Sequence, residues 1–94
     1  MYLYNISIIV DNDRHEILIQ WVRENWLNTL PEQAKFLKLL DSPHEGHTYC
    51  VQLIFENPSE IPTFQQEQLV ILQSHIATNH QEKAFLFDST MKYI

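Results

Sequence analysis

The stretch HTYCVQLIF, residues His47 to Phe55, lies at the centre of the chain and decides the fold. Its side chains alternate with a period of two, which is typical of a β-strand with two different faces. One face carries Tyr49, Val51, Leu53 and Phe55, and the other carries Thr48, Cys50, Gln52 and Ile54. Turn residues occupy 42–46, after the short apolar segment AKFLKLLD, residues 34–41. Together they predict a β-hairpin, although Leu and Lys in the first segment would suit a helix equally well.

Strand and helix patterns alternate on both sides of this hairpin. Residues 1–10, MYLYNISIIV, also have a period of two and predict a strand. Residues 14–30 place apolar side chains at helical spacing, and Pro31 ends that helix. After the hairpin, residues 59–80 predict a second helix and residues 85–93 predict a last strand.

The resulting order, β-α-β-β-α-β, predicts an α+β fold of the ferredoxin-like plan in a single domain, residues 1–94. Right-handed crossovers of the two βαβ halves give one four-stranded antiparallel sheet, in the order 4-1-3-2. Both helices are then expected on one face of the sheet, and the other face stays open.

Short motifs over nearly the whole chain point to a family. They are Tyr4-Asn5 in the first strand, Trp21 in the first helix, FLKLL and TYCVQ in the hairpin, and Pro58-Ser59 and His80 at the second helix. In these features the chain resembles an uncharacterised bacterial family, domain of unknown function 4286. The resemblance implies a dimeric α+β barrel, in which two ferredoxin-like domains pair. It implies no catalytic residues.

Composition argues against several kinds of partner. Twelve acidic residues oppose six basic ones, and the net charge of −6 repels the phosphates of nucleic acids. One glycine cannot build a glycine-rich phosphate loop, and no apolar run is long enough to span a membrane. One cysteine cannot form an internal disulfide, and the N-terminus lacks a basic segment typical of signal peptides. A cytoplasmic protein without nucleic-acid or membrane partners is expected.

The stretch PHEGHTYC, residues 43–50, raises the question of a metal site. His44 is expected in the turn, and His47 and Cys50 are three residues apart on a strand, so their side chains leave opposite faces. His75 and His80 are five residues apart, about 140° around a helix, whereas a pair on one metal prefers a spacing of four. We therefore expect neither a metal nor a cofactor.

Aromatic residues and one histidine are the candidates for ligand binding. They are Tyr4, Trp21, Tyr49 and His75, all expected between the helices and the sheet. An aromatic stripe at this spacing is usually core, and His75 is either a core imidazole hydrogen-bonded to a tyrosine or a ligand anchor or general base. His15 has no obvious partner. No catalytic residue is assigned.

The open face of the sheet is expected to mix aliphatic and small polar side chains. A solvated face would carry more charge and a core face less polarity, so this mixture favours an interface with a second copy. The predicted interface comprises Asn5, Ser7, Ile9, Cys50, Gln52, Ile54, Asp88 and Thr90. Two copies of Asp88 near a two-fold axis would repel each other. In this assignment Phe85 and Phe87 point the other way, toward the helices.

Two functional hypotheses follow from the sequence. The first is a non-enzymatic homodimeric domain that acts in assembly or partner binding. The second is a small-molecule binder or a cofactor-free enzyme, oxygenase- or isomerase-like by analogy of fold alone. An enclosed, partly polar cavity near His75 and Tyr49 would favour the second hypothesis, and tight packing there would favour the first.

Overall fold

The computed structural model describes residues 1–43 and 45–94. Within them lie four strands: β1 (Tyr2–Val10), β2 (Lys35–Leu39), β3 (His47–Phe55) and β4 (Ala84–Lys92). They form one antiparallel sheet in the order β2-β3-β1-β4, which is the predicted order. The fold is ferredoxin-like α+β, as the alternation of strand and helix patterns predicts.

Two helical segments in the described residues cover one face of the sheet. The first helix, residues 15–29, consists of an α-helix (His15–Trp21), a π turn (Val22–Trp26) and a 3₁₀ turn (Leu27–Thr29). The second helix, residues 60–79, consists of an α-helix (Glu60–Phe64), a π turn (Gln65–Leu69) and an α-helix (Val70–Asn79). Each π turn adds one residue to a helical turn and so shifts the apolar positions that follow it.

The core lies between these helices and the sheet. Tyr4, Ile6, Ile8 and Val10 of β1 are buried there, as the alternation of β1 predicts. Trp26 is 0% exposed, and its indole Nε1 donates a hydrogen bond of 2.9 Å to the backbone oxygen of Gln68 in the second helix. Trp26 therefore fixes the first helix to the second.

The predicted orientation of β4 was wrong. Asp88 pairs with Ile6 and Thr90 pairs with Tyr4, so both residues lie on the side of the sheet that the helices cover. Phe85 and Phe87 lie on the open face and are exposed. The sequence misled because bulky aromatic residues are usually core, whereas here the small Ala84, opposite Val10, fills the buried position.

Candidate functional site

The four predicted ligand-binding residues do not form one site. The rings of Trp21 and His75 stack at 3.6 Å and are almost parallel, at 6°. Tyr4 lies on β1 four residues from Ile8, the partner of Tyr49 on β3, so the two tyrosines are separated by about 13 Å along the sheet. Only the Trp21–His75 pair is brought together. Ligand binding by these residues stays a prediction.

Tyr4 forms a partly buried hydrogen-bond network with Asp88, on the edge strand β4, and Gln65. Its side chain is 1% exposed, and its hydroxyl donates to the carboxylate of Asp88. The Gln65 amide donates to both groups, at 3.2 Å to each. Burial, then the hydrogen bond to Asp88, raises the pKa of Tyr4 well above its usual range. The phenol therefore keeps its proton and has a structural role.

His75 and His80 form a second polar group beneath the first helix. Asn79 Nδ2 lies 3.2 Å from His75 Nδ1, so His75 bonds to an asparagine and not to the tyrosine expected from the sequence. His80 is 2% exposed, and neither ring nitrogen has a hydrogen-bond partner among the described residues. Burial and the nearby charge of Arg14 lower the pKa of His80. Both effects disfavour the protonated imidazole.

His15, which seemed to lack a partner in the sequence, lies in a cluster with Tyr49 and His47. A hydrogen bond of 2.5 Å joins His15 Nε2 and the Tyr49 hydroxyl, and the His15 and His47 rings stack at 3.7 Å. The pairing of β1 with β3 explains why His15 lies close to His47 and Tyr49. Val10, the last residue of β1, pairs with His47, and the chain turns from there into the first helix, which begins at His15.

The Tyr49 hydroxyl and His15 line a groove of about 400 Å³ beside the first helix. Its other lining residues are Glu16, Ile19, Gln20, Arg23 and Glu24. Lys38 Nζ lies 5.7 Å from the centre of the Tyr49 ring. The groove therefore combines an apolar wall with acidic and basic side chains, and Lys38 lies close to it.

A larger groove, of about 620 Å³, lies between the end of the first helix and the start of the second. Its lining includes Phe64, Thr63 and the carboxylates of Glu60 and Glu67. None of the predicted ligand-binding residues lines it. It supports no assignment of a ligand.

The open face of the sheet exposes a broad apolar surface. Its exposed large side chains are Leu37, Leu39, Ile54, Phe85, Phe87 and Met91, and the exposure of Phe87 reaches 60%. Surfaces of this kind on small proteins often mark interaction sites. The sequence predicted Ile54 on this surface, and the orientation of β4 adds Phe85, Phe87 and Met91 to it.

Polar side chains at the centre of the open face bond to one another. Asn5 Nδ2 donates to Ser7 Oγ at 3.1 Å, and Gln52 Nε2 donates to Asn5 Oδ1 at 3.2 Å. The Ser7 hydroxyl and the Cys50 thiol lie 3.7 Å apart. Six of the eight predicted interface residues lie on this face, and Asp88 and Thr90 do not.

The sequence raised the question of a metal site at the histidines and Cys50. As predicted, His47 and Cys50 lie on opposite faces of β3, since His47 pairs with Val10 and Cys50 pairs with Ser7. His44 lies outside the described residues. Across residues 1–43 and 45–94, no three His, Cys, Asp or Glu side chains cluster as metal ligands would. The absence of a metal stays a prediction.

The topology defines the class of protein as a ferredoxin-like α+β domain. The chain belongs to the family Domain of unknown function (DUF4286), whose model matches residues 1–94. A search of curated proteins finds no match. Among solved structures, the chain is similar to one from Thermus thermophilus described as a putative PII-like signaling protein. The identity is 9%, the TM-score is 0.47, and the alignment covers 97% of this chain and 87% of that one. In the part of the chain described here, no helix is long and apolar enough to cross a membrane.

Proposed function

We propose that this domain is a non-enzymatic homodimeric unit for assembly or partner binding, and that two copies pair through their open sheet faces. The exposed aromatic and aliphatic side chains of this face carry the proposal. Phe85 and Phe87 project from β4, and Ile54 projects from β3. Burying such side chains contributes about 25 cal/mol per Å² of apolar surface, which favours association.

Charge favours a second copy as the occupant. Of the side chains that β1 to β4 place on this face, only Lys35, on the edge strand β2, is charged. The chain as a whole carries −6, so a face without carboxylates lets two copies approach without repulsion there. The position of Asp88 on the other side removes the like-charge contact that the sequence suggested.

The size of the face also suits a dimer. A nine-residue strand is about 30 Å long and four strands are about 19 Å wide, giving a flat area on the order of 500 Å². The accessible area is larger because side chains project from the sheet. Specific interfaces bury ~600–1,000 Å² on each partner, so isologous pairing of the whole face reaches this range.

The polar centre of the face is compatible with burial. Unpaired polar groups cost ~1–3 kcal/mol each when buried. Asn5, Ser7 and Gln52 already bond to one another within one copy, which offsets part of that cost. The remaining donors and acceptors would pair across the two-fold axis.

The interior offers less support for the alternative, a small-molecule binder or enzyme with a pocket between helices and sheet. The ring of Tyr4 meets that of Phe64 edge to face at 5.8 Å, and buried apolar residues from both helices fill the space around them. This packing argues against a pocket beside Tyr4 and favours assembly as the function of the domain. The proposal also places the protein in the cytoplasm, without a cofactor, a nucleic acid or a membrane as partner, because of its charge and single cysteine.

A matched pair of substitutions tests the interface. Phe87 on the open face and Ile17 on the first helix are each 60% exposed. We expect Phe87→Asp to shift sedimentation equilibrium strongly toward the single chain, because it places a carboxylate in an apolar contact. Ile17→Asp should leave the association unchanged. Equal association of wild type and Phe87→Asp would contradict the proposed interface.

A further inference from the structure

Two basic side chains and two aromatic rings lie together at the groove beside Tyr49, in a protein with a net charge of −6. Lys38 lies over the Tyr49 ring, and the guanidinium of Arg23 lies 5.9 Å from the centre of the Phe36 ring. Phe36 in turn contacts Tyr49, with ring centres 5.4 Å apart. Two of the six Lys and Arg side chains thus flank one aromatic pair.

In the part of the chain that the structure describes, neither Lys38 nor Arg23 has an acidic partner within 4.0 Å. Among residues 1–43 and 45–94, the ion pairs within 4.0 Å are those of Lys83 with Asp11 and Asp13. Glu16 and Glu24 line the groove but do not reach Lys38 or Arg23 within that distance. Positive charge at the rim of the groove is therefore free to attract an anion.

We propose that this groove binds a small organic monocarboxylate with an apolar body. Lys38 and Arg23 attract its carboxylate, and His15 adds to the attraction when protonated. Its apolar body lies against Ile19 and Tyr49. The volume of about 400 Å³ falls within the range of small-ligand sites, ~300–1,000 Å³. The proposal does not depend on the dimer, because the groove lies on the helix-covered side of the sheet.

The two acidic residues of the lining limit the ligand to a single negative charge. Glu16 and Glu24 would repel the second charge of a phosphate monoester. A monocarboxylate satisfies this condition.

Proton uptake should accompany binding. Burial, then the charges of His47 and Lys38, lowers the pKa of His15, while Glu16 opposes this shift. Tyr49 faces the same ring through its hydroxyl. A bound carboxylate would stabilise the protonated imidazole and raise the His15 pKa, so affinity should rise as the pH falls from 7.5 to 6.

Three ligands with the same phenyl ring and different charges test whether binding depends on the charge of the ligand. We would titrate the full chain with benzoate, benzyl alcohol and phenyl phosphate, and follow the imidazole and backbone signals of the groove by NMR. Benzoate should bind more tightly than both other probes, and more tightly at pH 6 than at pH 7.5. Equal binding of benzyl alcohol, tighter binding of phenyl phosphate, or no shift at His15 and Tyr49 would each overturn the proposal.

Two lysines of one strand supply a matched pair of variants. Lys38 and Lys35 are three residues apart on β2 and lie on opposite faces. Lys38→Gln should weaken benzoate binding roughly twofold to fivefold, the range of an exposed ion pair. Lys35→Gln should leave it unchanged. Equal effects of the two substitutions, with both variants folded by circular dichroism, would overturn the assignment.

Discussion

The hydroxyl of Tyr4 donates a hydrogen bond to the carboxylate of Asp88, a diagonal neighbour on the next strand of the sheet. Tyr4 contacts Phe64 and Gln65 of the second helix, so its bond to Asp88 is made on the covered side of the sheet. Because side chains alternate along a strand, Phe87 and Phe85 must then face away from the helices. The orientation of β4 that allows the Tyr4–Asp88 hydrogen bond is therefore the one that exposes Phe85 and Phe87 on the open face.

We expect Asp88→Ala to lower the free energy of unfolding by ~1 kcal/mol. The substitution removes the acceptor of the buried Tyr4 hydroxyl, while Gln65 remains close to that hydroxyl. The loss in the free energy of unfolding should be small because Asp88 is exposed and water also reaches its carboxylate. Ser89→Ala, on the adjacent position and the open face, should change stability by less than ~0.5 kcal/mol. Urea denaturation measures both, and equal values would show that the contact has no stabilising effect.

The fold could be predicted from the sequence because the patterns of β1 and β3 are unambiguous. One face of β1 is entirely apolar or aromatic and both Asn5 and Ser7 lie on the other, which places Tyr4 in the core and Asn5 on the open face. On β4 apolar residues occur on both faces, so the sequence does not determine its orientation. Only pairing with β1 places Leu86 inside and Phe87 outside.

The candidate sites were less accessible to prediction, since they depend on contacts between distant residues. His15, Tyr49 and Lys38 come from three different elements, and no spacing in the sequence joins them. The two tryptophans of the first helix show the same limit. Both occur at helical spacing in the sequence, yet five residues are about 140° around a regular helix, and in the structure Trp26 is fully buried while Trp21 is half-buried against His75.

The two tryptophans should therefore differ in their effect on stability. Trp26→Ala should lower the free energy of unfolding by ~3–5 kcal/mol, because it empties a fully buried position and removes the bond to Gln68. Trp21→Ala should cost about half as much or less, since solvent already reaches that ring. Chemical denaturation measures both losses in the free energy of unfolding. A larger loss for Trp21→Ala than for Trp26→Ala would contradict the described core.

Acid should destabilise the fold through its histidines. The pKa values of His15, His75 and His80 are all lowered in the folded chain, chiefly by burial. The unfolded chain, with histidine pKa values near ~6.5, then binds more protons as the pH falls. Stability is thus complete above about pH 6.5 and is lost progressively below it. Denaturation at a series of pH values measures this slope.

His80→Leu isolates the buried imidazole. Since both ring nitrogens lack partners among the described residues, an apolar side chain of similar size should leave stability at pH 7 unchanged or raise it, and should flatten the loss below pH 6.5. A loss of more than ~1 kcal/mol at pH 7 would show that the nitrogens have partners in solution. An unchanged pH slope would exclude His80 as a source of the acid sensitivity.

The rate at which the single cysteine, Cys50, is alkylated measures how accessible the open face is. Cys50 lies at the centre of this face and is partly exposed in one chain. Pairing of two faces would cover it, so its alkylation should slow as the protein concentration rises through the dissociation constant of the dimer. Phe87→Asp should abolish this concentration dependence. A rate that is independent of concentration in the wild type would place Cys50 outside any interface.

The molar mass of the wild-type chain in solution tests the central claim most directly. Light scattering at micromolar concentration should give twice the mass of one chain, which is 11.2 kDa. Ile54→Asp, which places a charge on the open face beside the polar centre, should reduce the mass to that of one chain. A wild-type mass of one chain would contradict the homodimer, and a dimer that persists in Ile54→Asp would place its interface on another surface.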